Sequence, residues 1–225
     1  GGYLQAASFM QLFNYRLSYY IIEKYFDRAT LGVFSIGVQI SESVWIISKS
    51  IAMVQYARIA NSNNPAYSRD LTAAFIRITT LLTIVILGVL LLLPSGFFVL
   101  IFHSDFSGLH SVILSLAGGI LAVAISLMLS HYFSGSGKPW HNTISSGIGL
   151  VFTLVLGFTL IPMLGLTGAG VTASVAYTAG MLYQLFVFIR ISGAKWRSVL
   201  PFNTDFAMIR KIITDDGDKD KALKS

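Results

Sequence analysis

The chain has 225 residues, of which 54% are hydrophobic, 13% aromatic and only 12% charged, and its mean hydropathy is +0.70. Ordinary soluble domains carry roughly 25% charged residues, so about half the usual charge is left to coat a water-facing surface. That composition excludes a soluble enzyme of familiar make-up, a disordered chain and a nucleic-acid-binding domain, and it predicts a polytopic membrane protein. The formal charge of +6 and the pI near 9.6 do not point to nucleic acid. Seven of the sixteen Lys and Arg follow Ile191, where Asp205, Asp215, Asp216, Asp218 and Asp220 partly cancel them. Without cysteine, disulfides, thiolate metal sites and cysteine nucleophiles are excluded. The opening Gly1-Gly2-Tyr3 has neither Met nor a basic n-region, so it reads as a fragment lacking its upstream part and not as a signal peptide.

A membrane helix needs about 20 mostly apolar residues to cross roughly 30 Å of hydrocarbon, and the charged residues divide the chain accordingly. The first span is expected from about Tyr3 to Ile22, followed by a short polar connection from Glu23 to Thr30. The second runs from about Leu31 to Tyr56, and Arg58 to Asp70, broken at Asn64-Pro65, reads as the longest polar loop. The third covers about Leu71 to Leu93, with Arg77 near its start placed to reach the headgroups. A loop with His103 and Asp105 follows, then a fourth span from about Leu109 to Phe133 and a turn at Ser134-Gly135-Ser136-Gly137-Lys138-Pro139. Between Pro139 and Ile189 no charge occurs, a stretch too long for one crossing. It suits two spans, about Asn142 to Ile161 and Leu166 to Ile189, hinged at Ile161-Pro162-Met163-Leu164-Gly165. Ser198 to Ile213 reads as a short interfacial helix and Asp215 to Ser225 as disordered.

The fold class is thus an all-α, polytopic integral membrane helical bundle with six transmembrane helices over residues 1–191 and a cytoplasmic tail over 192–225. Connections two and four and the C-terminal region hold Arg58, Arg69, Lys138, Arg190, Lys195 and Arg197, whereas connections three and five have no Lys or Arg. Connection one is balanced. The positive-inside rule then puts both the N- and C-termini in the cytoplasm.

An ionised side chain at the centre of a membrane helix costs about 2.5–3.5 kcal/mol on the insertion scale, and such a residue usually faces a partner or a wet cavity. Arg16, Glu42 and Lys49 are the candidates. On the second span Ser35, Gln39, Glu42, Ile46, Lys49 and Met53 recur at steps of three or four, so the polar members share one face. Glu42 and Lys49 stand two turns apart, roughly 10 Å, too far for a firm pair but suited to lining one lumen. Gln5, Leu12, Arg16, Tyr19 and Glu23 form a similar stripe on the first span. Structural alternatives are snorkelling by Arg16 and Lys49 and a seam role for Glu42.

Two phosphate-binding motifs are refused. Gly168-Ala169-Gly170-Val171-Thr172-Ala173 matches the dinucleotide pattern G-x-G-x-x-A but lies inside an apolar span, without the strand that pattern requires. Small-residue helix packing through Gly165, Ala169 and Ala173, and through Gly168, Thr172, Ala176 and Gly180, is the better reading. Gly135-Ser136-Gly137-Lys138-Pro139 lacks the upstream Gly of a phosphate loop and has Pro139 where Ser or Thr should ligate magnesium. His103, His110, His131 and His141 have no metal-ligand spacing, so neither a metal nor a cofactor is expected.

The Gly135-Ser136-Gly137-Lys138-Pro139 turn, followed by Ile161-Pro162-Met163-Leu164-Gly165-Leu166-Thr167-Gly168-Ala169, resembles the flippases for lipid-linked polysaccharide units. In that family a G-x-G-[KR]-P turn joins two helices and IP-x-x-G-x-x-GA opens a later one. Asn14-Tyr15-Arg16 within the first span and Leu31-Gly32-Val33-Phe34-Ser35 opening the second are similar to its seventh and eighth helices. The likeness covers about Tyr3 to Ile191 and belongs to the multidrug/oligosaccharidyl-lipid/polysaccharide exporter superfamily, whose members usually have two six-helix halves.

The resemblance implies the C-terminal half of a transporter, not an enzyme, flipping polyprenyl-pyrophosphate-linked oligosaccharide across the bacterial inner membrane by alternating access. Its partners would be the lipid-linked oligosaccharide, membrane lipids, and a missing N-terminal six-helix half or a second chain. Arg16 and Lys49 are the residues expected to offset the phosphate charge, with Gln39 and Gln11 donating to sugar and Glu42 coupling to protons or sodium. The rivals are a cation-coupled multidrug antiporter of the same superfamily, a membrane glycan transferase or polymerase, and a structural membrane subunit.

Overall fold

A computed structural model describes residues 2–200, apart from the side chains of residues 2–4, 6–8, 11 and 15. The helices are α1 (Gly2–Tyr25), α2 (Arg28–Ser43), α3 (Trp45–Ala60), α4 (Pro65–Leu92), α5 (Ser95–Phe102), α6 (Leu109–Gly135), α7 (Trp140–Ser192) and α8 (Trp196–Val199). Among the described residues there is no strand, and a 3-10 turn at Ser104–Phe106 separates α5 from α6. The expected disorder from Asp215 and most of the expected interfacial helix lie outside the described residues.

Three stretches are long and apolar enough to cross a membrane: Pro65–Leu92, Ser104–Gly135 and Trp140–Ser192. A fourth is reached if α2 and α3, which meet at a bend of 42°, count as one span. The second expected span is therefore broken near its middle. The polar loop expected from Arg58 to Asp70 is mostly helix. Asn64 caps α4 by accepting from the amides of Ala66 and Tyr67, and Pro65 takes the first helical position, where its missing N–H costs nothing.

That early start corrects the expectation for Arg77. Twelve residues into α4, or about 18 Å along its axis, Arg77 is only 5% exposed. It is buried within the bundle instead of lying open at its surface.

At 53 residues α7 would be about 80 Å long if straight, well over twice the hydrocarbon thickness. It is not straight. Pro162 removes a helical donor and Gly165 adopts φ 58°, ψ −132°, a conformation open only to glycine without strain. The chain turns back there, so 140–164 and 166–192 form two antiparallel arms. Ser145 Oγ donates to Gly180 O at 3.0 Å, and Gln184 Nε2 donates to Asn142 Oδ1 at 3.1 Å. Asn142 Nδ2 reaches Ser130 O on α6 at 3.1 Å, and Ser126 Oγ donates to Gln184 Oε1 at 2.5 Å, tying both arms to α6.

Of the small residues expected to pack this region, Gly168, Ala169, Thr172, Ala173, Ala176 and Gly180 are buried, as is Gly170, whereas Gly165 forms the reversal and is only half-buried. At Gly119 a Cβ would lie 2.7 Å from Ser174 Cα, and at Gly170 one would lie 1.9 Å from Ser115 Oγ. Between them Gly119 N donates to Ser174 Oγ at 3.1 Å, and Ser174 Oγ donates to Ser115 O at 2.6 Å. α1 runs along the first arm, with Asn14 accepting from Thr153 and Ile21 facing Gly157.

This connectivity gathers alternate connections at opposite ends. Phe26 lies against Gly165, and Gly108 against Val33 and Leu166, at one end. Ile59 lies against Gly135 at the other.

Introducing a methyl at Gly119 should push α6 off the second arm, because the clash is with backbone. Gly119→Ala is expected to cost about 1–3 kcal/mol, read as a lowered Tm in detergent. Gly118→Ala, with nothing within 4 Å of its Cβ, should leave Tm unchanged.

Candidate functional site

The expected polar stripes reach the same edge of the bundle. On α1, Gln5, Leu12, Arg16 and Glu23 are exposed on one face, with Tyr19 half-buried beside them. On α2 and α3, Gln39, Ile46, Lys49 and Met53 are exposed, while Ser35 and Glu42 are half-buried. The side chain of Gln11 lies outside the described residues.

Glu42 sits in a small cleft lined also by Ser18, Tyr19, Trp45, Leu116 and Tyr177, with room for about one water molecule. It occupies the last turn of α2, immediately before the bend, so its carboxylate marks the junction between α2 and α3. The cations acting on it are Lys49 first and Arg16 second. Each cation stands over an aromatic ring of its own helix. Arg16 Cζ is 5.7 Å from the Tyr19 ring centroid, and Lys49 Nζ is 5.8 Å from that of Trp45. At such distances the ring quadrupole attracts the cation by about 0.5–1 kcal/mol or more. Gln39 Nε2 donates to Ser35 Oγ at 3.2 Å, one turn back on α2.

The structure thus brings Arg16, Gln39, Glu42 and Lys49 to one groove between α1 and the bent α2–α3 pair. Chemically, the groove offers two ring-held cations at its rim and an acid within. Tyr19, already on the expected stripe of α1, lines the cleft, and Trp45 and Tyr177 are the members that the sequence reading missed. The signal for Trp45 was present, since it lies three residues after Glu42 and four before Lys49, on the same helical face. Tyr177 carries no such mark. It arrives from α7, packing edge-on against Trp45 at 6.3 Å between centroids.

Comparison of the chain with family models, curated proteins and solved structures found no match.

Whether this groove is wet has a direct assay, because the chain has no cysteine of its own. Single Lys49→Cys and Gln39→Cys variants should react in membranes with a water-soluble maleimide. Val85→Cys, on the exposed apolar face of α4, should stay unlabelled. Lys49→Cys as inert as Val85→Cys would place the groove in lipid.

Proposed function

We propose that the chain is a six-span half of a transporter that flips a polyprenyl-pyrophosphate-linked oligosaccharide across the bacterial inner membrane by alternating access. The observation that carries this reading is the pair of ring-held cations, Arg16 and Lys49, at the open rim of a cleft containing Glu42. Arg16, Glu42 and Lys49 are costly to keep within apolar helices. Arranged around one groove, they fit a hydrated passage that admits a polar, negatively charged head while the apolar tail stays in lipid. Gln39, exposed beside them, can donate to sugar hydroxyls.

Six crossings require counting the two arms of α7 separately and adding α1, which is not among the stretches apolar enough to cross by themselves, to the bent α2–α3 pair, α4 and α6. Repeat-built transporters hold cargo between halves, so the exposed faces of α1 and α2–α3 would look toward a second six-helix half or a second chain. Arg58 at the end of α3, Arg69 at the start of α4, Lys138 between α6 and α7, Arg190 in the last turn of α7, and Lys195 and Arg197 after it gather at one end of the bundle, which supports a cytoplasmic location for both chain ends.

One observation favours a second reading, export of lipophilic cations coupled to cation entry. The walls around Glu42 are aromatic, with Tyr19, Trp45 and Tyr177 suited to a cationic drug. Against it, Arg16 and Lys49 already occupy two of those rings.

Arg16→Ala and Lys49→Ala in the full transporter should each lower glycan export by about tenfold or more, a loss of roughly 1.4 kcal/mol or more, with membrane insertion intact. Lys49→Arg should retain export. Normal surface polysaccharide from both alanine variants would reject the assignment, and selective loss of drug resistance in Glu42→Gln would favour the second reading.

A further inference from the structure

Away from the groove, where α3 and α6 finish and α4 begins, a cavity of about 410 Å³ opens at the basic end of the bundle. Its volume falls in the range of small-ligand sites, about 300–1,000 Å³. Arg69 and Lys138 line it, with Tyr132 and Ser136, which are hydrogen-bonded to each other, and the apolar Pro65 and Ile191. Among the described residues no carboxylate lines it. Asp70 lies beside it and fixes Arg69 through bonds of 2.7 and 3.2 Å. Lys138 acts on the nearby His141 ring, so its charge faces another basic group instead of an acid.

Helix C-termini could in principle neutralise these cations through their free carbonyls, but the carbonyls here are engaged. Gly137, at φ 71°, lets Gly137 N and Lys138 N close back on Ser134 O and Phe133 O, a Schellman cap on α6. Gly193 N returns to Ile189 O at the end of α7, and Asn61 Nδ2 donates to Ala57 O at the end of α3. Among the described residues Lys138 is therefore left for a ligand from outside, while Arg69, held in place by Asp70, adds a second charge beside it.

The depth of the cavity indicates which ligand. Trp140 and Trp196 flank this end of the bundle and are 41% and 54% exposed. Exposed tryptophans of a membrane protein settle at the headgroup level, and basic pockets between helices at that depth suit lipid phosphates. We propose that this cavity binds the headgroup phosphate of an anionic membrane phospholipid, with Lys138 and Arg69 as its charge partners and Pro65 and Ile191 against the glycerol and first methylenes. The site requires only membrane residence. It shares no residue with the groove of Arg16, Glu42 and Lys49, so loss of one reading leaves the other intact.

The test uses the whole protein purified in detergent and titrated with phosphatidylglycerol, phosphatidylcholine or inorganic phosphate, with retained lipid read by native mass spectrometry and stability by Tm. Phosphatidylglycerol should be retained and should raise Tm, and the other two should do neither. Lys138→Gln should weaken retention about fivefold, the effect of removing one cation near a lipid surface. Lys138→Arg should preserve it, as should Arg190→Gln, which removes a cation from the same end but outside the lining. Equal retention of phosphatidylcholine, or undiminished retention in Lys138→Gln, would overturn the proposal. Protection by inorganic phosphate without preference for phosphatidylglycerol would overturn the lipid as its source. Should Lys138→Gln fail to fold, the wild-type preference for phosphatidylglycerol and its decline with added salt decide the matter.

Discussion

Two helices can approach within backbone contact only where one of them lacks a side chain, and this bundle depends on such approaches. Lipid tails are as apolar as leucine, so burial alone gives little drive for one membrane helix to seek another. Close contact and interhelical hydrogen bonds must do it. Gly119 and Gly170 let α6 and the second arm of α7 meet through Ser174 and Ser115. Gly37 does the same for α2 on α6, where a Cβ would come within 2.6 Å of Val112 Cγ1. With α2 seated on α6, and α1 on the first arm of α7, the space between α1 and α2 becomes the groove. The position of Glu42 is thus set by glycines that carry no chemistry.

The groove also shows how charge is kept in an apolar bundle. Arg16 and Lys49 are each held by an aromatic ring on their own helix, so neither depends on a contact that a moving partner would break. Glu42 feels both cations yet sits deeper, among Tyr19, Trp45 and Tyr177. Gln55, with no exposed surface, donates to Thr72 Oγ1 at 3.0 Å and to Met128 O at 2.9 Å, fastening α3 to α4 and α6.

Much of this was legible in the sequence, for physical reasons that also explain the gaps. Charges shun the interior, so charge-free runs located the main helices, and Pro162 with Gly165 marked the reversal in α7. Period-3.6 spacing placed Gln39, Glu42 and Lys49 on one face. The bend between α2 and α3 was not legible, since Val44 keeps helical angles of −58° and −29° and no Pro or Gly marks it. Asn64-Pro65 read as a loop because a breaker and a helix start use the same residues. Missing that start placed Arg77 near the beginning of its helix and hid its burial. α5, eight residues of nearly continuous apolar sequence, is too short for a span and went unseen. Tyr177 reached the cleft through packing across 132 positions of chain from Trp45, which no local pattern encodes.

The two arms of α7 satisfy one another's polar side chains before any other helix is considered, through Asn142 with Gln184 and Ser145 with Gly180. A hairpin of this kind is suited to enter the bilayer as one unit during synthesis. Its second arm can leave the insertion machinery already paired with the first, so the amides of Asn142 and Gln184 need never meet acyl chains alone.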